Sequence, residues 1–324
     1  MEIMLKITDI RNKILRFRRN SHGKVGFVPT MGYLHQGHAS LIAEARKQCD
    51  LVVLSIFVNP LQFGPGEDYE TYPRDSERDF RIAEEAGVDI VFMPSVEEMY
   101  PQYPLNTRVI VGGVTSKLCG ASRPGHFDGV ATVVSKLFHI VEPDLAFFGL
   151  KDAQQVAVIE QMVKDLNMNV QIVPCPIARE ADGLAMSSRN VRLNAEEREQ
   201  ARILSRSLEQ TDDWIHQPNM TVKELKRKIR ESIQTAPLAV IDYAEFLTYP
   251  ELAEVPEETR TTELPSDQRY IIALAARIGG TRLIDNRIIS MEEVGKLVSD
   301  DDEIEDSSRH GDGSELELCG KHHD

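Results

Sequence analysis

The chain has 324 residues, 41% of them apolar and 27% charged, with a formal net charge of -15 at neutral pH. That balance suits about two globular domains and offers no general electrostatic footprint for nucleic acid; no stretch approaches the ~18 uninterrupted apolar residues of a membrane-spanning helix. Cys49, Cys119, Cys175 and Cys319 lie far apart with no CxxC pair, which argues against a zinc site or disulfide framework and for a reducing, cytoplasmic setting.

The opening segment, MEIMLKITDIRNKIL, mixes acids and bases into its apolar positions and does not read as a signal peptide. Strand-like runs follow at 25–28 (VGFV), 51–58 (LVVLSIFV), 89–93 (DIVFM), 144–149 (DLAFFG) and 169–174 (NVQIVP). Helical patterns at about 39–49, 75–86, 127–141 and 152–166 separate them. Consecutively apolar strands divided by helices predict a parallel sheet covered on both faces. The expected fold class is therefore α/β, a doubly wound Rossmann-like domain over residues 1–177. After residue 178 a loop, AREADGLAMSSRN, leads to a charged helix from Ala195 (AEEREQARILSRSLEQ) and a second helix, TVKELKRKIRESIQ. Strand-like runs around 240–247, 269–276 and 281–284 complete a smaller α+β domain over 178–298, hinged at the loop. Residues 299–324 hold ten acids against two bases, Arg309 and Lys321, so more than half of the net charge sits there. With few large apolar residues, this tail is expected to be disordered.

Ligands of doubly wound folds bind outside the carboxyl ends of the strands, and the unusual loops at 29–37, 59–74 and 149–152 all follow strand ends. The first is PTMGYLHQGH, Pro29 to His38. A helix start offers unpaired N–H groups and partial positive charge to a phosphate. Gly32 and Gly37 let the backbone come close, and His35 and His38 can donate to phosphate oxygens. Taken alone, HxGH is equally a glycine-rich turn with two surface histidines. Its place after a strand resembles the HIGH signature of nucleotidyltransferases, which often carry a second, mobile basic motif. Met186, Ser187, Ser188 and Arg189, in DGLAMSSRN, stand where that motif belongs; alone, they read sooner as a solvated linker than as a ligand motif.

Further along, SIFVNPLQFG places Asn59 and Gln62 beyond a strand, and FFGLKDAQQ does the same for Lys151, Asp152, Gln154 and Gln155. Lysine is a phosphate ligand, and Asp152 suits a ribose hydroxyl or a metal. Glutamines orient a carboxylate's oxygens without a full charge that would quench its nucleophilicity, although each alone also suits a cap. Arg123 and His126, in RPGHFDGV, precede another helix, and Arg123 fits a phosphate contact or a structural ion pair equally.

PTMGYLHQGH, FVNPLQFG, YPR, RPGHFDGV, FFGLKDAQQ and DGLAMSSRN, in this order and spacing, resemble the pantothenate synthetase (pantoate–β-alanine ligase) family over about residues 5–290. The resemblance implies an ATP- and Mg²⁺-dependent ligation in pantothenate and coenzyme A biosynthesis. Pantoate would form pantoyl adenylate, which β-alanine then attacks, giving pantothenate, AMP and pyrophosphate. It implies a homodimer, with no nucleic-acid or membrane partner. The ATP site would take Met31, Gly32, Tyr33, Leu34, His35, Gln36, Gly37 and His38, then Gly149, Leu150, Lys151 and Asp152, the backbone at Ala178, and Met186 to Arg189. His38, as proton donor, would act with His35, Lys151 and Arg189; Gln62, Gln155 and Asn59 would hold substrate. Tyr72, Arg74 and Asp79 are further candidates for packing or for metal and amine contacts, and the side chains that hold the metal stay unassigned. The chain departs from the family pattern at Cys119, Leu150 and Ala153. Two rival readings are another HxGH nucleotidyltransferase, which would want a basic substrate pocket, and a non-catalytic nucleotide-binding or tail-mediated interaction protein.

Overall fold

Six strands form one parallel sheet: β1 (Glu2–Met4), β2 (Val25–Thr30), β3 (Leu51–Ile56), β4 (Ile90–Phe92), β5 (Leu145–Gly149) and β6 (Gln171–Cys175). Their spatial order is β1-β4-β3-β2-β5-β6, and every neighbouring pair is parallel. The computed structural model describes residues 1–291; the expected tail, Cys319 and the last residues of the expected second domain lie outside them. β3 is buried along its whole length and β2 nearly so, as apolar-on-both-faces sequences require. From β2 the chain winds outward through β3 and β4, then returns to β5 on the other side. Strand order thus reverses at β2, opening a crevice at the carboxyl ends of β2 and β5.

The longer helices around this sheet are α1 (Ile7–Asn20), α2 (Gln36–Gln48), α3 (Ser76–Glu85), α4 (His126–Val141) and α5 (Ala153–Asp165). α4 is apolar nearly all round and buried from Phe127 to Val141 with few interruptions, the mark of a helix inside a core. Gly129 lets the chain come close to α4: a Cβ there would lie 2.3 Å from Leu61 O. That contact seats the 3-10 turn Pro60–Gln62 on the helix.

A three-stranded antiparallel sheet, β7 (Ala239–Tyr249), β8 (Arg269–Ile278) and β9 (Thr281–Ser290), completes the fold. Gly279, at φ +55°, turns β8 into β9. Alternation along β8 sends its side chains to two cores. Tyr270, Ile272, Leu274 and Ala276 join Leu225, Ile229 and Ile233 of α6 (Val222–Gln234). Ile271 and Ala273, with Leu247, Tyr249 and Leu252, join the core that holds α4 and α5.

Several elements differ from expectation. β1 and α1 are additions; in α1 the buried Ile10 and Ile14 are interleaved with charge, which hides the apolar stripe. The strand expected at 169–174 is an edge, with Gln171 and Pro174 exposed, where a proline does no harm. The helix expected from Ala195 divides into Ala195–Ala201 and Ile203–Glu209 at Arg202, still at helical φ and ψ, so the axis tightens rather than ends. β9 runs on to Ser290 through Asp285 and Asn286, whose polarity breaks the apolar pattern. Among the described residues no helix is long and apolar enough to cross a membrane.

Candidate active site

The turn from β2 into α2 is held from beneath. Thr30 Oγ1 donates to Ser55 O at 2.7 Å and accepts from Gly32 N at 3.2 Å. Gly32 (φ +81°) and Tyr33 (φ +49°) are left-handed, and their turn is closed by Asp79 of α3. That carboxylate, 1% exposed, accepts from the amides of Tyr33 at 2.8 Å and Leu34 at 2.6 Å. Burial pushes its carboxyl up, opposed by those two amides. His35 caps α2: its Nδ1 accepts from Gly37 N at 3.1 Å, and His38 Nδ1 accepts from His35 N at 3.2 Å. Since both Nδ1 atoms accept, each neutral ring carries its proton on Nε2 and offers it as a donor. Burial, with Lys151 nearby, lowers His35 to about 4; burial, then His35 and Lys151, lowers His38 to about 3. Both are uncharged donors at neutral pH.

Beyond β3, Asn59 and Gln62 are buried together. Asn59 Nδ2 donates to Gln62 Oε1 and to Gly129 O, both at 3.1 Å, and its Oδ1 accepts from Tyr100 OH at 2.7 Å. Among the described residues Gln62 Nε2 meets only Met31 Sδ, at 3.0 Å, a weak acceptor. Arg123 and His126 secure the same turn: His126 Nδ1 donates to Gln62 O at 2.8 Å and its Nε2 accepts from Arg123 Nη1 at 3.1 Å. Of the two roles open to Arg123, the ion pair is present, 2.6 Å from Glu67.

After β5 comes the turn Leu150–Asp152, braced from the small sheet: Asn286 Nδ2 donates to the carbonyls of Leu150 at 2.8 Å and Lys151 at 3.0 Å. Gln155 lines the crevice. Gln154 turns away, donating to Val114 O and Lys117 O. The segment expected as a flexible loop is tied down. Arg179 pairs with buried Asp285 at 2.7 Å, Met186 N donates to Ala178 O at 3.0 Å, and Ser188 and Tyr72 share a 3.1 Å hydrogen bond. Arg189 grips Asp68 through Nε at 3.0 Å and Nη2 at 3.1 Å.

These parts surround one cleft of about 240 Å³. Its walls include Met31, His35, Gly37 and His38; Asn59, Gln62 and Tyr72; Gly149, Lys151, Asp152 and Gln155; and Ala178 with Met186 to Arg189. The other expected residues stand off its walls. Gly32 and Tyr33 line a hollow behind the turn with Arg74 and Asp79, Leu34 is core, Gln36 is on the first turn of α2, and Leu150 faces a separate hollow beside Arg179. Cys119 lies against Tyr243 OH and Arg282, and Ala153 is buried. Glu67, Asp68, Asp285 and Asn286 escaped the sequence reading. Two adjacent polar residues inside LIDNRII cannot both face solvent in a strand, and that signal was available for the last pair. Among the described residues no three His, Cys, Asp or Glu side chains gather as a metal site.

Residues 2–288 match the family model described as pantoate-beta-alanine ligase. The chain is 53% identical over 291 residues to the pantothenate synthetase of Acetivibrio thermocellus, covering 90% of this chain and 100% of that protein. It is 50% identical to that of Caldicellulosiruptor saccharolyticus, covering 90% and 100%. Its fold is similar to the pantothenate synthetase of Thermus thermophilus (TM-score 0.80, 44% identity, 89% of this chain and 99% of that one). It is similar too to the Francisella tularensis pantoate-beta-alanine ligase complexed with Beta-gamma ATP and Beta-alanine (TM-score 0.70, 38% identity, 89% and 97%).

Proposed function

The chain is an enzyme of the pantoate–β-alanine ligase family, and we propose that its cleft joins (R)-pantoate to β-alanine through pantoyl adenylate, releasing pyrophosphate and AMP. One observation carries this reading: the α2 start, Lys151, Arg189 and an uncharged amide pair, Gln62 and Gln155, converge on a single cleft. The Francisella relative's complex supports ATP and β-alanine as ligands.

In the first step a carboxylate oxygen of pantoate attacks the α-phosphorus, and pyrophosphate leaves with the bond's electrons. The amides of Gln62 and Gln155 orient the nucleophile without a cation to quench it. His35 and His38 donate Nε2–H to phosphate oxygens, and Lys151 and Arg189 take up the growing negative charge. Mg²⁺ accompanies ATP as part of the substrate. Its hydrated octahedron asks for one or two protein carboxylates, and half-exposed Asp152 on the cleft wall fits that demand. In the second step the β-alanine amine attacks the acyl carbon and AMP departs. Little covalent work falls to side chains; positioning supplies the rate. Residues 186–189 act as the closing part and shield the acyl phosphate from water. The working form is a cytoplasmic homodimer, a reading supported by family resemblance and open to a solution mass measurement.

The test is AMP release with ATP, Mg²⁺, pantoate and β-alanine, omitting each in turn. Release should need all four, and pantoate alone should support ATP–pyrophosphate exchange. Exchange without pantoate would overturn the reading.

A further inference from the structure

Two consecutive acids from the loop after β3 each hold a basic side chain of the cleft, and the pair comes from separate parts of the chain. Glu67 takes Arg123, just ahead of α4, at 2.7 and 2.6 Å. Asp68 takes Arg189, more than one hundred residues on, through Nε and Nη2. Arg192 Nη1 joins the same carboxylate at 2.9 Å, and its Nη2 donates to Thr71 O at 3.2 Å. The Tyr72 ring lies 5.9 Å from the Arg189 guanidinium. Among the described residues, Arg189 Nη1 meets no protein acceptor.

A side-on bidentate grip fixes the plane of a guanidinium and leaves its remaining edge to another anion. Were Asp68 the sole partner of Arg189, it would cancel the charge that a triphosphate needs. Arg192 restores it, so the trio carries one net positive charge and Arg189 keeps both its charge and a set orientation. Burial opposes the charge on Asp68, but the hydrogen bonds and attraction from Arg189, with Arg192, outweigh it and hold the carboxyl below its ordinary range.

We propose that Asp68 is a positioning residue for adenylation: it sets the orientation in which Arg189 meets the phosphates of ATP. This rests on the role given to Arg189 above. Asp68→Asn keeps the size and one acceptor but loses the charged fork. Pantoate-dependent ATP–pyrophosphate exchange is measured on wild type, D68N, R189A and the double variant, together with their thermal midpoints. D68N should lose ~10–10² in kcat, the scale of a misplaced reacting group, with KM for ATP within a few-fold and the midpoint unchanged. The double variant should be no worse than R189A, because both act through one guanidinium. Should D68N lower the midpoint, Asp68→Glu, which keeps the charge but moves the fork outward by one methylene, must show the same kcat loss. Wild-type kcat in the variant so chosen overturns the proposal. Tighter ATP binding at unchanged kcat, which would make Asp68 a rival of the phosphates, and multiplying losses in the double variant overturn it too. Wild-type exchange in R189A removes the role of Arg189 itself, and this proposal with it.

Discussion

Replacing Gly129 with alanine pits two effects of opposite sign against each other. In an ordinary helix interior the change stabilises by about 1 kcal/mol. Here the new Cβ would stand 2.3 Å from Leu61 O, 2.5 Å from Leu61 C and 2.6 Å from Gln62 N, all of them backbone atoms. Carbon–oxygen contacts settle at about 3.3–3.6 Å, so the 3-10 turn must withdraw from α4 by about 1 Å. Overpacking of this kind costs about 1–3 kcal/mol, and the withdrawal also stretches the bond from Asn59 to Gly129 O. The net expectation is a loss of about 1–2 kcal/mol in urea unfolding. Gln62 travels with the turn, and a displacement of about 1 Å at a positioning group costs about 10² in rate. Pantoate-dependent exchange should fall by that order, with Lys151 and Arg189 untouched. A variant as stable as wild type, exchanging within twofold of it, would refute the reasoning.

Three further outcomes are expected. The folded pKa values of His35 and His38, about 4 and about 3, lie below 6.5, so their contribution is complete above pH 6.5 and drains away as pH falls toward those values. His38→Gln should therefore lose roughly 1–2 kcal/mol less than wild type between pH 6.5 and 5; parallel stability curves would contradict this. Asp79→Ala strands the amides of Tyr33 and Leu34 and should cost about 2–4 kcal/mol, together with exchange activity; an unchanged thermal midpoint would show the turn stands without it. Arg189→Ala should slow adenylation and let AMP form in excess over pantothenate as the intermediate escapes to water. Normal adenylation with the two products in equal amount would leave that arginine no part in closing the site.

The sheet could be read from the sequence because β2, β3 and β5 are buried on both faces, so their apolar runs are continuous and the intervening helices hold their period. α1 escaped because its two buried isoleucines are outnumbered by charged neighbours. At the site, glycines and histidines at a strand end signal chemistry through local spacing, and the cleft wall holds most of the residues that spacing picked out. The partners of those residues are another matter. Asp68 faces Arg189 and Asn286 braces Lys151 only once distant segments meet, and no local pattern encodes a contact across 121 or 135 positions. Leu34 shows the opposite limit: it sits within the motif, yet its side chain belongs to the core.

β8 sends Ile271 and Ala273 into the core built around α4 and α5, and this sets a timetable for synthesis. Residues 1–177 leave the ribosome with their strands complete but with part of their apolar interior uncovered. At about 5–20 residues per second, the next hundred or so take roughly 5–20 s to emerge. During that interval the part of this core that Ile271 and Ala273 complete stays open to solvent, and so to chaperones. Only when the last hairpin arrives can the first half of the molecule finish folding.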